Sequence, residues 1–143
     1  MTKPTRVGSL ILVGLIAAFT LSAGGGGKVT VWPAADVKWV DGPVKGLWIA
    51  TLWGDTSKGP YGTLKKVTAG TDFGWHTHSA EQKVVAISGT FDFQAEGQEP
   101  KVLPSGSYLD IPAGVKHTSK CREGADCMYL EQSTGKMDYI PVK

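Results

Sequence analysis

The sequence predicts an all-β fold, one small barrel or sandwich, and three observations carry that prediction. Short runs rich in β-branched and aromatic residues recur along the chain. Turn signals built on Gly, Pro, Asp and Ser residues punctuate them at about 8–12 residue intervals. No stretch keeps the i, i+3, i+4, i+7 apolar spacing of an amphipathic helix.

In order, Leu47–Trp53 is the first run and stops at Gly54-Asp55. Trp48 and Trp53 have opposite parity on it, so at most one need face inward. The turn residues Lys58-Gly59-Pro60 precede Thr63–Thr68, which ends at Ala69-Gly70. Lys83–Ser88 and Thr90–Gln94 flank Gly89 as a hairpin, with Phe91 and Phe93 sharing a core face. After Glu96-Gly97 and Pro104-Ser105-Gly106 comes Tyr108–Ile111, stopped by Pro112-Ala113-Gly114. Cys127–Gln132 is the last run; it places Cys127, Tyr129 and Glu131 on one face. There is no internal repeat and no sign of a second domain.

Composition bounds the function. The chain has 143 residues with a formal charge of +2, two Cys and three His. A balanced charge argues against nucleic acid as a partner, and 41 % apolar content is ordinary for a globular core. Residues 1–23 read as a secretory signal peptide. Lys3 and Arg6 lead into an uncharged run, and Ser22-Ala23 offers a small-residue cleavage site. The run is short against the roughly 20 residues of a membrane span, so no stable membrane insertion is expected after cleavage. Removal of Lys3 and Arg6 leaves a mature chain of zero net charge, exported to the periplasm or beyond. Residues 24–35, beginning with four glycines, read as a flexible tether and extension. Residues 36–143 are the folded domain.

All three histidines lie in one pattern. In His76-Thr77-His78 a strand would point both imidazoles to the same side. Gln82 shares their parity and Glu81 does not. His117, after the Pro112–Gly114 turn, is positioned to arrive from a neighbouring strand. Such imidazoles can share one divalent transition metal: Fe, Mn, Ni, Cu or Zn.

At these residues the chain resembles the cupin superfamily. Its first motif, G-x5-H-x-H-x3,4-E-x6-G, is matched by Gly70, His76, His78, Gln82 and Gly89, with Gln82 in the Glu position. Its second, G-x5-P-x-G-x2-H-x3-N, is matched by Gly106, Pro112, Gly114, His117 and Cys121, with Cys121 in the Asn position. The segment Gly54–Gly62 extends the likeness to a group of small single-domain bacterial cupins. The resemblance implies a jelly-roll barrel (a double-stranded β-helix) over residues 36–143, with one metal on His76, His78, Gln82 and His117. A Gln carbonyl can coordinate but brings no charge. The site would then keep the full charge of its ion, shifting preference away from Mn²⁺ toward Zn²⁺, Cu²⁺, Ni²⁺ or Fe²⁺.

Other residues complete the expectation. Export makes a Cys121–Cys127 disulfide reasonable; two free thiols, or Cys121 as a ligand, are the other arrangements. Tyr61, Tyr108 and Tyr129 are candidates to offer hydroxyls to a substrate cavity. Glu131, if its face is inward, is the carboxylate able to act as a general base beside the metal. The functions implied are a metal-dependent dioxygenase acting on a small oxygen-chelating compound, an isomerase or lyase using the ion as Lewis acid, or a non-catalytic binder of a small ligand or metal. A homodimer through the segment Lys28–Val40 is a further expectation.

Overall fold

The protein is described by a computed structural model over residues 27–143. The expected leader, 1–23, and the start of the tether lie outside the described residues. Among the described residues no helix is long and apolar enough to cross a membrane. Residues 31–143 form one compact unit.

This unit is nearly all β. After a single 3-10 turn at Ala34–Asp36, the strands are β1 (Val40–Asp41), β2 (Leu47–Gly54), β3 (Tyr61–Val67), β4 (His76–Thr77), β5 (Gln82–Ser88), β6 (Thr90–Ala95), β7 (Lys101–Pro104), β8 (Tyr108–Ile111), β9 (His117–Cys121), β10 (Cys127–Ser133) and β11 (Ile140–Pro141). One sheet has the order β1-β2-β3-β10-β5-β8 and the other β11-β4-β9-β6-β7. All pairings are antiparallel, and the chain crosses between sheets after β3, β4, β5, β7, β8, β9 and β10. This is the jelly-roll arrangement. Each of the six runs read from the sequence is a strand. The short strands β1, β4, β7, β9 and β11 are additional.

Alternation, interrupted by bulges in the β2–β3 and β10–β5 ladders, sorts the first sheet into two faces. In register across it stand Ile49, Lys65, Tyr129 and Ala86, and in the next inward row Thr63, Glu131 and Val84. These side chains turn toward the second sheet. The apolar core gathers Leu47, Ile49, Val67, Phe73, Ala86, Phe91, Cys121 and Cys127. Complete burial of Val67 contributes roughly 1.5–3 kcal/mol.

Trp48 and Trp53 are both on the outside, 38 % and 46 % exposed. The reason is a bulge: Thr51 pairs with Thr63 but Trp53 pairs with Gly62, so the parity flips between them. The Trp53 indole then lies across Gly62, where a Cβ would stand 2.0 Å from Nε1. The motif glycines 70, 89, 106 and 114 all have positive φ. Gly89 is additionally bound by space, since a Cβ there would lie 2.7 Å from Cys127 Sγ.

Cys121 and Cys127 form a disulfide, joining the end of β9 to the start of β10. Cys121 is therefore no metal ligand, and neither thiol is free. Both halves sit in the core, and the closed loop is short, with a sequence separation of 6. Chain entropy then sets the contribution at about 2 kcal/mol. Reduction should lower unfolding free energy by that amount, read as a smaller denaturation midpoint with reductant than without. Coincident curves would show that the cystine adds nothing to stability.

Candidate metal centre

The two histidine segments meet because β4 and β9 are neighbours. His76 and His117 are directly opposed across that pair, and their ring centroids are 4.3 Å apart. His78 follows one residue beyond β4, with centroids 4.9 Å from His76 and 5.2 Å from His117. One ring nitrogen from each lies within 4.8 Å of the others, close enough to share an ion.

Their other nitrogens are all engaged by backbone carbonyls. Nδ1 of His76 meets Gly74 O at 2.8 Å, Nδ1 of His78 meets Asp138 O at 2.7 Å, and Nδ1 of His117 meets Val115 O at 2.9 Å. A carbonyl can only accept, so each Nδ1 carries the proton and each Nε2 keeps its lone pair. This is the orientation metal-binding imidazoles take. The residues present therefore fit a divalent ion. Gln82, the first residue of β5, is 3 % exposed and lines the same cleft. Glu81, of opposite parity, points away and pairs with Lys83.

Burial is the main cause pushing the three histidine pKa values down, against the upward pull of the carbonyls. His76 falls to about 4. The folded chain thus holds these rings neutral while the unfolded chain protonates them near 6.5. Below that pH the unfolded state binds more protons, so stability must fall as pH drops from about 6.5 toward 4. Denaturation of metal-free protein at stepped pH should show this decline. A flat profile over that window would contradict neutral, buried rings.

Next to the histidines is a buried polar group. Glu131 Oε1 accepts from the Tyr61 hydroxyl at 2.8 Å and from Lys65 Nζ at 2.6 Å. Glu131 is 3 % and Lys65 5 % exposed. The Lys65 ammonium also sits 5.7 Å from the centroid of the Tyr129 ring. Burial first, then the charge of Glu131, drives the hydroxyls of Tyr61 and Tyr129 well above the ordinary tyrosine range, so both stay protonated. The cleft has a cavity volume of about 80 Å³. Its walls carry the three histidines, Gln82, Lys65, Glu131 and Tyr129 among apolar side chains such as Val84, Leu109 and Phe93.

The structure thus brings His76, His78, Gln82, His117, Glu131 and Tyr129 to one cleft. Tyr61 is inward but wholly buried behind Glu131, its hydroxyl spent on that carboxylate. Tyr108 departs from expectation. It pairs with Val85 on the outer face of the first sheet and is 58 % exposed. Leu109 and Ile111 occupy the inward parity of β8 instead. Three contributors were not anticipated: Lys65, Asp138 and Tyr139. Lys65 carried a signal, since it alternates with Thr63 and Val67 on the inward face of its strand. Asp138 and Tyr139 carried none, because only the tertiary fold returns them to the cleft.

The fold is shared with solved structures. The DMSP lyases RdDddP and RnDddQII match with a TM-score of 0.65 and 20 % identity, over 77 % of this chain. This chain spans 65 % of the length of that one. The polyketide cyclase RemF from Streptomyces resistomycificus matches with a TM-score of 0.67 and 18 % identity, over 81 % of this chain and 87 % of that chain. The DMSP lyase DddQ from Ruegeria pomeroyi DSS-3 gives 0.61 and 18 % identity, over 80 % and 70 %. No curated protein matches the sequence. The model of the ChrR cupin-like domain family matches residues 28–136. With the jelly roll and the two histidine segments in place, the chain belongs to that family of cupins.

Proposed function

We infer that the protein is an exported, metal-dependent enzyme acting on a small substrate that chelates through oxygen, and that it moves a proton with Glu131. One observation carries this reading. Three Nε2 lone pairs, each set by an engaged Nδ1, share a cleft with a single buried carboxylate. A buried cystine supports export, because disulfides persist in oxidising compartments.

His76, His78 and His117, with Gln82, would hold the ion. When bound it supplies Lewis acidity toward a substrate oxygen. The chain's own residues do the rest. Lys65 and Tyr61 hold the Glu131 side chain in place through Oε1, and neither bond uses Oε2. Glu131 takes a proton from a carbon next to the substrate's carbonyl: the C–H bond breaks, its electron pair moves to the carbonyl oxygen, and the carboxyl carries the proton. Returning that proton to another carbon gives an isomerase, and loss of a β-leaving group gives a lyase. Lyase and cyclase chemistry among proteins of like fold is in keeping with this. A dioxygenase rests on the ligand set alone, and nothing in the cleft favours it over proton transfer.

The test is solvent deuterium uptake by a panel of small hydroxyketones and β-diketones, using protein loaded in turn with Zn²⁺, Fe²⁺, Mn²⁺, Ni²⁺ and Cu²⁺. Metal-dependent uptake that is lost in Glu131→Gln is expected. Oxygen consumption without deuterium uptake would favour the dioxygenase. Metal binding with neither would leave a non-catalytic binder.

A further inference from the structure

His78 differs from its two partners in how it is held. The carbonyls that orient His76 and His117 come from residues two positions earlier, Gly74 and Val115. The carbonyl that orients His78 comes from Asp138, sixty positions away. The same segment returns to the site several times. Ser79 N–H donates to the Asp138 carboxylate at 3.0 Å, and Met137 N–H donates to Thr56 O at 2.8 Å. The Tyr139 ring packs 4.7 Å from that of His76, and its hydroxyl donates to Phe73 O. Ile140 and Pro141 pair with Thr77 and His76 as β11, and Val142 N–H donates to Trp75 O at 3.0 Å. Met137, Asp138 and Tyr139 also form one wall of the cleft.

This segment is outside the family match, which ends at residue 136. Its strand lies at a sheet edge, bonded on one side only, and Ile140 is 44 % exposed. A strand at a sheet edge, paired on one side only, opens locally at a lower cost than a central one. Yet opening would remove the acceptor of His78 Nδ1 and free that ring to turn. We propose that residues 137–142 are a latch whose docking completes the metal centre, so that metal occupancy and docking stabilise each other. The inference rests on the metal-site reading above. By linkage, the factor by which docking raises metal affinity equals the factor by which metal favours docking.

The experiment is calorimetric Zn²⁺ titration together with amide hydrogen exchange on the full chain. Saturating Zn²⁺ should slow exchange at Ser79, Met137 and Val142 about 10-fold or more, within the 10–100-fold range for losing an outer partner of a metal-bound imidazole. Gly70, bonded to Cys121 O at the far end of β9, is the reference amide and should not change. A chain ending at Lys136 should bind Zn²⁺ about 10–100-fold more weakly, and Tyr139→Ala should fall between it and the full chain. Zn²⁺ binding with no change in exchange at those three amides would overturn the latch and leave the metal site standing. No heat of Zn²⁺ binding by the full chain would instead remove the metal reading, and the latch with it.

Discussion

His117→Ala should reduce Zn²⁺ affinity by more than the roughly 10–100-fold that loss of an outer-shell partner costs. It removes one of the three converging nitrogens outright. It does so without disturbing the loop that carries His76 and His78, because His117 enters from β9 and its Nδ1 partner, Val115, is its own neighbour. Removing the ring should also raise the stability of metal-free protein at acid pH, since a buried imidazole that must stay neutral is gone. Titration calorimetry reads the first effect and denaturation at stepped pH the second. Affinity within a factor of a few of the parent would mean that residue 117 is not a ligand. The same experiment on Gln82→Ala should give a smaller loss, because a neutral carbonyl is the weakest member of the donor set.

Lys65→Met should cost roughly 3–5 kcal/mol of stability. Lys65 and Glu131 are both within the barrel at 2.6 Å, with side chains 7 % and 3 % exposed. Methionine keeps most of the volume but leaves the Glu131 charge with only the Tyr61 hydroxyl. A lone buried carboxylate is far more expensive than a pair. The melting temperature should fall by about 10 °C or more. Glu131→Gln alone should show a comparable deficit, with Lys65 now the uncompensated charge. The double variant should recover much of it, which is the signature of coupling across a pair. A double variant as unstable as the sum of the singles would mean that the two residues act separately. Deuterium uptake distinguishes their roles further. On the proposed function, Glu131→Gln should lose deuterium uptake, whereas a Lys65 variant that folds should retain part of it.

Much of this was legible in one dimension because strands obey a period of two. Parity put Glu131 and Tyr129 on the same face as Cys127, and the register of β10 against β3 keeps the three at alternate positions; that this face is the inner one came from the packing of the sheets. The parity argument failed where the ladder is irregular. Parity set Trp48 and Trp53 on opposite faces, whereas a bulge at Leu52 leaves both outside, and a bulge depends on cross-strand pairing that no local pattern reports. Tyr108 was assigned to the cavity for its hydroxyl alone, when its neighbours Leu109 and Ile111 were the better apolar candidates for the inner face. Short strands such as β7 and β11 were invisible because pairing partners, rather than their own propensity, make them extended.

The sequence by itself determined the all-β class, the turns that demand glycine at positive φ, and the identity of the histidines, since these depend on side-chain chemistry and local backbone sterics. Only the tertiary structure decided which groups orient and surround those histidines. Asp138 and Tyr139 reach the cleft through chain return, and contacts across such separations are set by the packing of two sheets, which leaves no periodic mark in the chain.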